Sequence, residues 1–206
     1  MIALIADEIF ATRLRRNKTR SLLVAISGID GCGKSAFGRK LCEELQSRNL
    51  NPALINLDAW HTPPEIRFNK KRPGEHFYKH AFRFQDLFGL LIDPLKKNRS
   101  IHLKVELIRL PQNDFYPHTY DFCEVDIIVL EGILLLKREL RAQYDFSVWI
   151  DCPFETALER AIVRNQEGLS VEELVREYNT IYFPAQKIHL QRDDPKSGAT
   201  RVINNP

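Results

Sequence analysis

Apolar residues follow two rhythms along this chain. Over residues 2–15, Ile2, Ile5 and Ile9 recur at helical spacing ahead of a basic tail and predict a short amphipathic helix. Ser21 to Ile29, SLLVAISGI, is an unbroken apolar run containing a glycine, which predicts a strand buried on both faces of a parallel sheet. Phe37, Leu41 and Leu45 return to helical spacing over 34–48, and PALINLD predicts a second strand ending at Asp58. The next stretch, AWHTPPEIRFNKKRPGEHFYKH, keeps neither rhythm. Its mixture of proline, charge and aromatic residues predicts a long irregular loop, and such loops inside compact domains are commonly functional.

The helical rhythm resumes over 81–97. Ile101, Leu103, Val105 and Leu107 then alternate, and with DFYPHTYDF they predict a small antiparallel excursion. VDIIVLEG and DFSVWID read as two further buried strands, PFETALERAIVRN and SVEELVREYNTIY as helices, and TRVINN as a short last strand. Strands alternating with helices predict a doubly wound parallel α/β sheet with helices on both faces. One domain is expected over 1–206, with 1–20 a helical extension and a helical lid over about 160–180.

Composition narrows the function classes. Thirty basic and 27 acidic residues leave a formal charge of +3, which suits an anionic small molecule and is too weak for a nucleic-acid carrier. The four cysteines, Cys32, Cys42, Cys123 and Cys152, form no CxxC pair, so reduced thiols in a cytoplasm are expected. The start, MIALIADEIF, is interrupted by Asp7 and Glu8 and has no basic region before it, and no apolar run approaches the roughly 20 residues of a membrane helix. A cytoplasmic protein without a membrane partner is the expectation. Homo-oligomerisation is left open.

The chemistry concentrates at one loop. Gly28-Ile-Asp-Gly-Cys-Gly-Lys34-Ser35 fits G-x-x-x-x-G-K-[ST], with a strand before it and a helix after. In that motif backbone N–H groups wrap nucleotide phosphates at a helix N-terminus. Gly28, Asp30, Gly31, Cys32, Gly33, Lys34, Ser35 and Ala36 are therefore expected to bind ATP. Lys34 reaches the β- and γ-phosphates and Ser35 ligates Mg²⁺. No N-K-x-D guanine-reading segment and no LSGGQ is present, which leaves a small-molecule kinase.

Three further groups join the loop. Asp58 follows ALINL, at the carboxyl end of a strand where ligands of such sheets bind, and is expected to accept a proton from an attacking hydroxyl or to support the metal. Glu131 ends IIVL, the placement of an acid that holds Mg²⁺ directly or through water. Arg160 and Arg164, four apart on one helical face, are candidates to close over the triphosphate. Asp151, also at a strand end, ranks lower. His76 and His80 share metal-ligand spacing but have no third partner. Arg67, Arg72 and Arg83 could bind an acceptor phosphate.

Taken in order, these segments resemble the uridine kinase and phosphoribulokinase family of P-loop kinases, in its bacterial uridine-kinase-like branch, from about Leu22 to Asn205. ISGIDGCGKS looks like the family's phosphate loop, NLDAWH like its catalytic-aspartate segment, IIVLEGILLL like its magnesium segment, and VEELVREYNTIYFPAQ like the helix after its lid. The resemblance implies a P-loop NTPase fold and ATP- and Mg²⁺-dependent phosphorylation of a hydroxyl on a nucleoside-like molecule. It also marks a departure. The family's ribose-gripping segment corresponds to HFYKHAFRF here, with Phe77 or Tyr78 near the place of its aspartate, which argues against uridine as a good substrate. A nucleoside monophosphate or pantothenate-like acceptor, or a regulatory module that binds nucleotide without transfer, are the alternative readings.

Overall fold

The apolar run at Leu22–Gly28 is β1, the central strand of a five-stranded parallel sheet ordered β2-β5-β1-β6-β7, in a computed structural model that describes residues 1–16, 18–165 and 168–205. The other strands are β2 Pro52–Asn56, β5 Ile127–Glu131, β6 Phe146–Asp151 and β7 Arg201–Asn204. Every residue of β1 and β5 is buried, as strands covered on both faces require. The register pairs Ile26 with Glu131, Asn56 with Glu131, and Gly28 with Ile150. The carboxyl ends of β1, β2 and β5 therefore finish beside one another, and chain order reverses about β1. That edge is where such sheets hold ligands.

Helices α1 (Ile2–Arg15) and α2 (Lys34–Gln46) stack on one another, and α2 lies on β1, β2 and β5. Two short helices follow β2, α3 (Pro64–Arg67) and α4 (Pro73–His80). A longer helical segment runs through α5 (Phe84–Asp86), a π-helical stretch Leu87–Ile92, and α6 (Asp93–Asn98). The π-helical stretch buries Leu87, Phe88, Leu91 and Ile92 together. Strands β3 (Ile101–Arg109) and β4 (Asp114–Phe122) form the expected antiparallel hairpin, pairing Arg109 with Asp114 at its tip. After β6 come α7 (Phe154–Arg164), α8 (Val171–Glu177), a π-helical turn Tyr178–Tyr182, α9 (Phe183–Asp193) packed on α4, and α10 (Pro195–Gly198). Ser170 and Glu173 start α8 with a capping box. Positions 166 and 167 of the expected lid lie outside the described residues.

Two expectations are corrected. Strand β2 stops at Asn56 and not at Asp58, because the Asn56 side chain accepts from Asp58 N at 2.7 Å and opens a 3₁₀ turn, Leu57–Trp60. Residues 59–80 are not an irregular loop. Helix α4 escapes the periodicity test because Gly74, one of its three buried residues, contributes no apolar side chain. It contributes an absence of one: a Cβ there would lie 2.5 Å from Cβ of Pro184 in α9. Trp60 is wholly buried, stacked on Tyr120 and donating to its hydroxyl at 3.2 Å.

Asp145 anchors the start of the sheet. Its carboxylate accepts two bonds from Arg20, at 2.7 and 2.9 Å, and one from the N–H of Leu23 in β1 at 2.9 Å. Burial pushes its pKa up, but Arg20, Leu23 N–H and Lys96 outweigh this and hold it below the ordinary value of 3.8. A depressed carboxylate stabilises the fold above its unfolded pKa and ceases to do so as pH falls through its folded one. Asp145→Asn should therefore cost about 2–3 kcal/mol at pH 7. In thermal melts the gap between variant and wild type should narrow steadily as pH drops below 4.

Candidate active site

The loop from Gly28 to Gly33 turns over the end of β1 into α2. Gly31 and Gly33 hold φ of +77° and +96°, which side-chain-bearing residues rarely adopt. At Gly31 the constraint is doubled, since a Cβ would sit 2.3 Å from the Ala157 carbonyl oxygen of α7. A side chain there collides with the chain itself, before any ligand is considered. Cys32 is buried beneath the turn, and its carbonyl accepts from the Asn205 amide at 2.9 Å. Gly33 offers α2 no side-chain cap and the Lys34 N–H bonds to Cys32, while the first turn, which carries Lys34, Ser35 and exposed Ala36, forms the helix N-terminus where an anion can bind.

Lys34 lies buried at the focus of the site, its Nζ donating to the Ile29 carbonyl at 2.9 Å. Burial pulls its pKa down, but Cys32, Asp30, Glu131 and Asp58 around it prevail and hold it above its ordinary value. Glu131, 3% exposed, accepts from the Ser35 hydroxyl at 2.9 Å. Burial raises its pKa, only partly opposed by Lys34 and Ser35. Asp58 is pushed up to about 7 by burial and by Glu131 and Asp30, against the pull of Lys34 and Arg164. Asp30 goes the other way. Burial would raise it, but Lys34, Arg164, the Tyr178 hydroxyl and Gly31 N–H together depress it.

Asp30, Lys34 and Asp58 open onto a cavity of about 220 Å³. Arg164 of α7 reaches it, 3.5 Å from Asp30. Arg160 does not line it: its guanidinium donates to the Asn205 carbonyl at 3.3 Å and lies 3.6 Å from Cys152 Sγ. Of the three arginines weighed for an acceptor phosphate, Arg67 alone lines the cavity. Arg72 pairs with Glu75 on the surface, and Arg83 lies over Trp60 and donates to the Glu106 carbonyl. Asp151 is taken up by Lys196 at 2.8 Å. His76 Nε2 lies 2.7 Å from the Ile66 carbonyl, and no group of three or more metal-ligating side chains occurs among the described residues.

The cavity also contains residues that sequence reasoning did not assign. His61 stands one turn past Asp58, and its Nδ1 lies 2.6 Å from the Asp58 carbonyl, which can only accept. Burial, with the Arg67 charge, pushes its pKa down to about 3, so it is neutral and donates from Nδ1. Asn113 comes from the hairpin tip, and Glu177 and Tyr182 from α8 and the turn after it, joined by a 3.2 Å bond from the Tyr182 hydroxyl. Phe77, near the place of the family's ribose-gripping aspartate, lines the cavity, whereas Tyr78 donates to Asp193 at 2.7 Å away from it. His61 carried a local signal, its place in NLDAWH, and Glu177 and Tyr182 lie in VEELVREYNTIYFPAQ, a segment that resembles the family without singling either out. The rest converge from segments distant in sequence.

A glycine loop at the switch point of a parallel sheet, with a buried lysine, a serine–glutamate pair and a cavity carboxyl, defines a P-loop kinase of small molecules. The chain belongs to the phosphoribulokinase/uridine kinase family: the model described as "Phosphoribulokinase / Uridine kinase family" matches residues 23–191. Among its curated relatives, a uridine kinase of Proteus mirabilis is 29% identical, covering 79% of this chain and 78% of its own. A uridine kinase of Alkaliphilus metalliredigens is 27% identical over 89% and 86% of the two chains. Among solved structures, "a Possible Uridine Kinase from Bacillus stearothermophilus" shares the fold with a TM-score of 0.75 at 20% identity, over 96% of each chain. A D-glycerate 3-kinase from Cryptococcus neoformans shares it at 0.65 and 13% identity, over 99% and 95%.

Lys34→Ala should weaken ATP binding by ~10–100-fold, the worth of one charge-assisted bond to phosphate, and abolish turnover. Isothermal calorimetry and a turnover assay on the same preparation measure both. Unaltered affinity and rate would remove the phosphate-loop assignment.

Proposed function

We propose that the protein transfers the γ-phosphoryl group of ATP to a hydroxyl of a small, nucleoside-like acceptor, with Asp58 as general base. The observation that carries this reading is the Asp58 carboxyl in the cavity wall, opposite in charge to Lys34 and pushed up to about 7. A base is most useful with a pKa near the working pH. As the acceptor oxygen bonds to the γ-phosphorus and the bridging bond to ADP breaks, the hydroxyl proton passes to Asp58. Lys34 and Arg164 are in place to neutralise the transferring group, and the α2 N-terminus to hold the phosphates.

The Ser35–Glu131 pair fits Mg²⁺, an ion that takes few protein ligands and draws the rest from phosphate and water. A cation there would relieve the buried Glu131 carboxylate, with Asp58 close enough to feel it. When bound, Mg²⁺ supplies charge neutralisation for the phosphates. Arg160, held to Asn205 next to the loop, supports the loop from outside the cavity. The aromatic lining of Phe68, Phe77 and Tyr182 suits a flat ring in the acceptor. Uridine itself is expected to be a poor substrate. Phe77 offers its ribose hydroxyls no charge, and Asp86 and Asp114, engaged with Arg83 and Arg109, lie outside the cavity lining.

Asp58→Asn distinguishes transfer from nucleotide binding without chemistry. The variant keeps the shape and loses the proton affinity, so acceptor-dependent kcat should fall ~10²–10⁴-fold with ATP affinity nearly unchanged. In the wild type, kcat/KM should rise with pH through about 7 as Asp58 deprotonates, and this limb should vanish in the variant. A folded, ATP-binding Asp58→Asn protein with wild-type turnover would end the assignment of Asp58 as the base, whereas a wild type that binds ATP without any acceptor-dependent turnover would favour the regulatory module.

A further inference from the structure

Arg67 is 3% exposed, yet it forms part of the cavity wall. Its guanidinium donates to the Thr62 carbonyl at 3.2 Å and to the Asn113 side-chain oxygen, and stands over the Phe68 ring. Both acceptors are neutral. Among the described residues no carboxylate forms an ion pair with it, although Glu65, Asp58 and Glu177 are near enough to be felt. A buried cation without a counter-ion is costly, and burial accordingly lowers the Arg67 pKa. The other buried arginine behaves differently: Arg13 meets Asp126 at 2.9 Å.

Arg67 belongs to α3, a single turn of helix, and is held against Asn113 at the tip of the β3–β4 hairpin, so two separate elements meet at a charge beside an open cavity. The neighbouring wall is apolar, made by Phe68, Phe77, Leu110 and Pro111. In such a setting an oxyanion gains a charge-assisted bond that solvent cannot match. The Asp58 carboxyl lines the same cavity, so one molecule can present a hydroxyl to Asp58 and a negative group to Arg67.

We infer that the acceptor carries, besides its reacting hydroxyl, an anionic group, a carboxylate or a phosphate, which binds Arg67 with Asn113 as its partner. This rests on the kinase reading for its hydroxyl and specifies the acceptor further: a hydroxy acid or a phosphorylated hydroxy compound is preferred over its neutral counterpart. Arg67 is here a binding residue for the acceptor, with no part in the proton transfer.

The test uses thermal melting of the full chain saturated with ADP–Mg²⁺, which occupies the phosphate loop, followed by titration with propionate or with inorganic phosphate. At least one anion should raise the melting temperature of the wild type saturably. Arg67→Met should lose that response. Asn113→Asp should lose it as well, because the new carboxylate becomes the internal counter-ion, and it should melt at or above the wild type even if Arg67→Met folds poorly. A response to propionate alone points to a hydroxy acid, and one to phosphate alone to a phosphorylated acceptor. Two results would overturn the inference: no response to either anion in the wild type, or an equal response in both variants, which would place the anion in the phosphate loop. The shift produced by ADP–Mg²⁺ reads nucleotide binding alone, and acceptor-dependent turnover of the wild type and Asp58→Asn reads the kinase proposal separately.

Discussion

One buried ammonium organises the catalytic end of this sheet. Lys34 lies among Asp30, Glu131 and Asp58, three acids delivered by the glycine loop, the end of β5 and the turn after β2. None of the three could remain charged so close to the others without it. The parallel register makes the meeting unavoidable, since Ile26 and Asn56 both pair with Glu131 and bring three strand ends level. The same cluster sets the differences in proton affinity. Asp30, with Arg164, Tyr178 and a backbone N–H in addition, is held ionised, while Asp58 has only charges at a distance and is pushed up to about 7. Environment separates a carboxylate that holds structure from one suited to taking a proton.

Asp30 also ties the loop to the far side of the cavity. Its side chain meets Tyr178 and Arg164, and its N–H donates to Gln186 of α9 at 3.1 Å. Through these contacts one carboxylate joins the glycine loop to α7, the turn after α8 and α9. Arg160, although four residues away on the same helix, does not line the cavity and meets Asn205 and Cys152 instead.

Much of this was legible in the sequence because the relevant physics is local. Unbroken apolar runs marked β1 and β5, the glycine spacing marked the loop, and strand ends marked Glu131 and, within two residues, Asp58. The misplacement of Asp58 comes from Asn56, whose side chain mimics a backbone turn and ends the strand early. Helix α4 was hidden because a close helix contact selected glycine where an apolar residue would have signalled burial. Arg67 was one of three arginines that the sequence could not rank, and Asn113 and Glu177 were illegible altogether, for another reason. Each is an ordinary polar residue until the hairpin tip, α3 and α8 converge, and no spacing in a one-dimensional pattern records that convergence.

The division has a chemical meaning. The groups proposed to hold phosphate, backbone N–H groups, a lysine and a serine, lie within one short loop, so their sequence requirement is compact. The cavity proposed for the acceptor is lined by side chains from at least four separate segments: the turn after β2, α3, the hairpin tip, and α8 with its following turn. Relatives that share 27–29% of their residues can thus share the fold and the phosphate chemistry, yet differ in the cavity. In this chain the cavity side chains that bear on the proposed acceptor are Phe77, an uncharged ring, and Arg67, a buried charge whose hydrogen-bond acceptors among the described residues are neutral. The proposed acceptor is read from those side chains, and not from the motif that identifies the family.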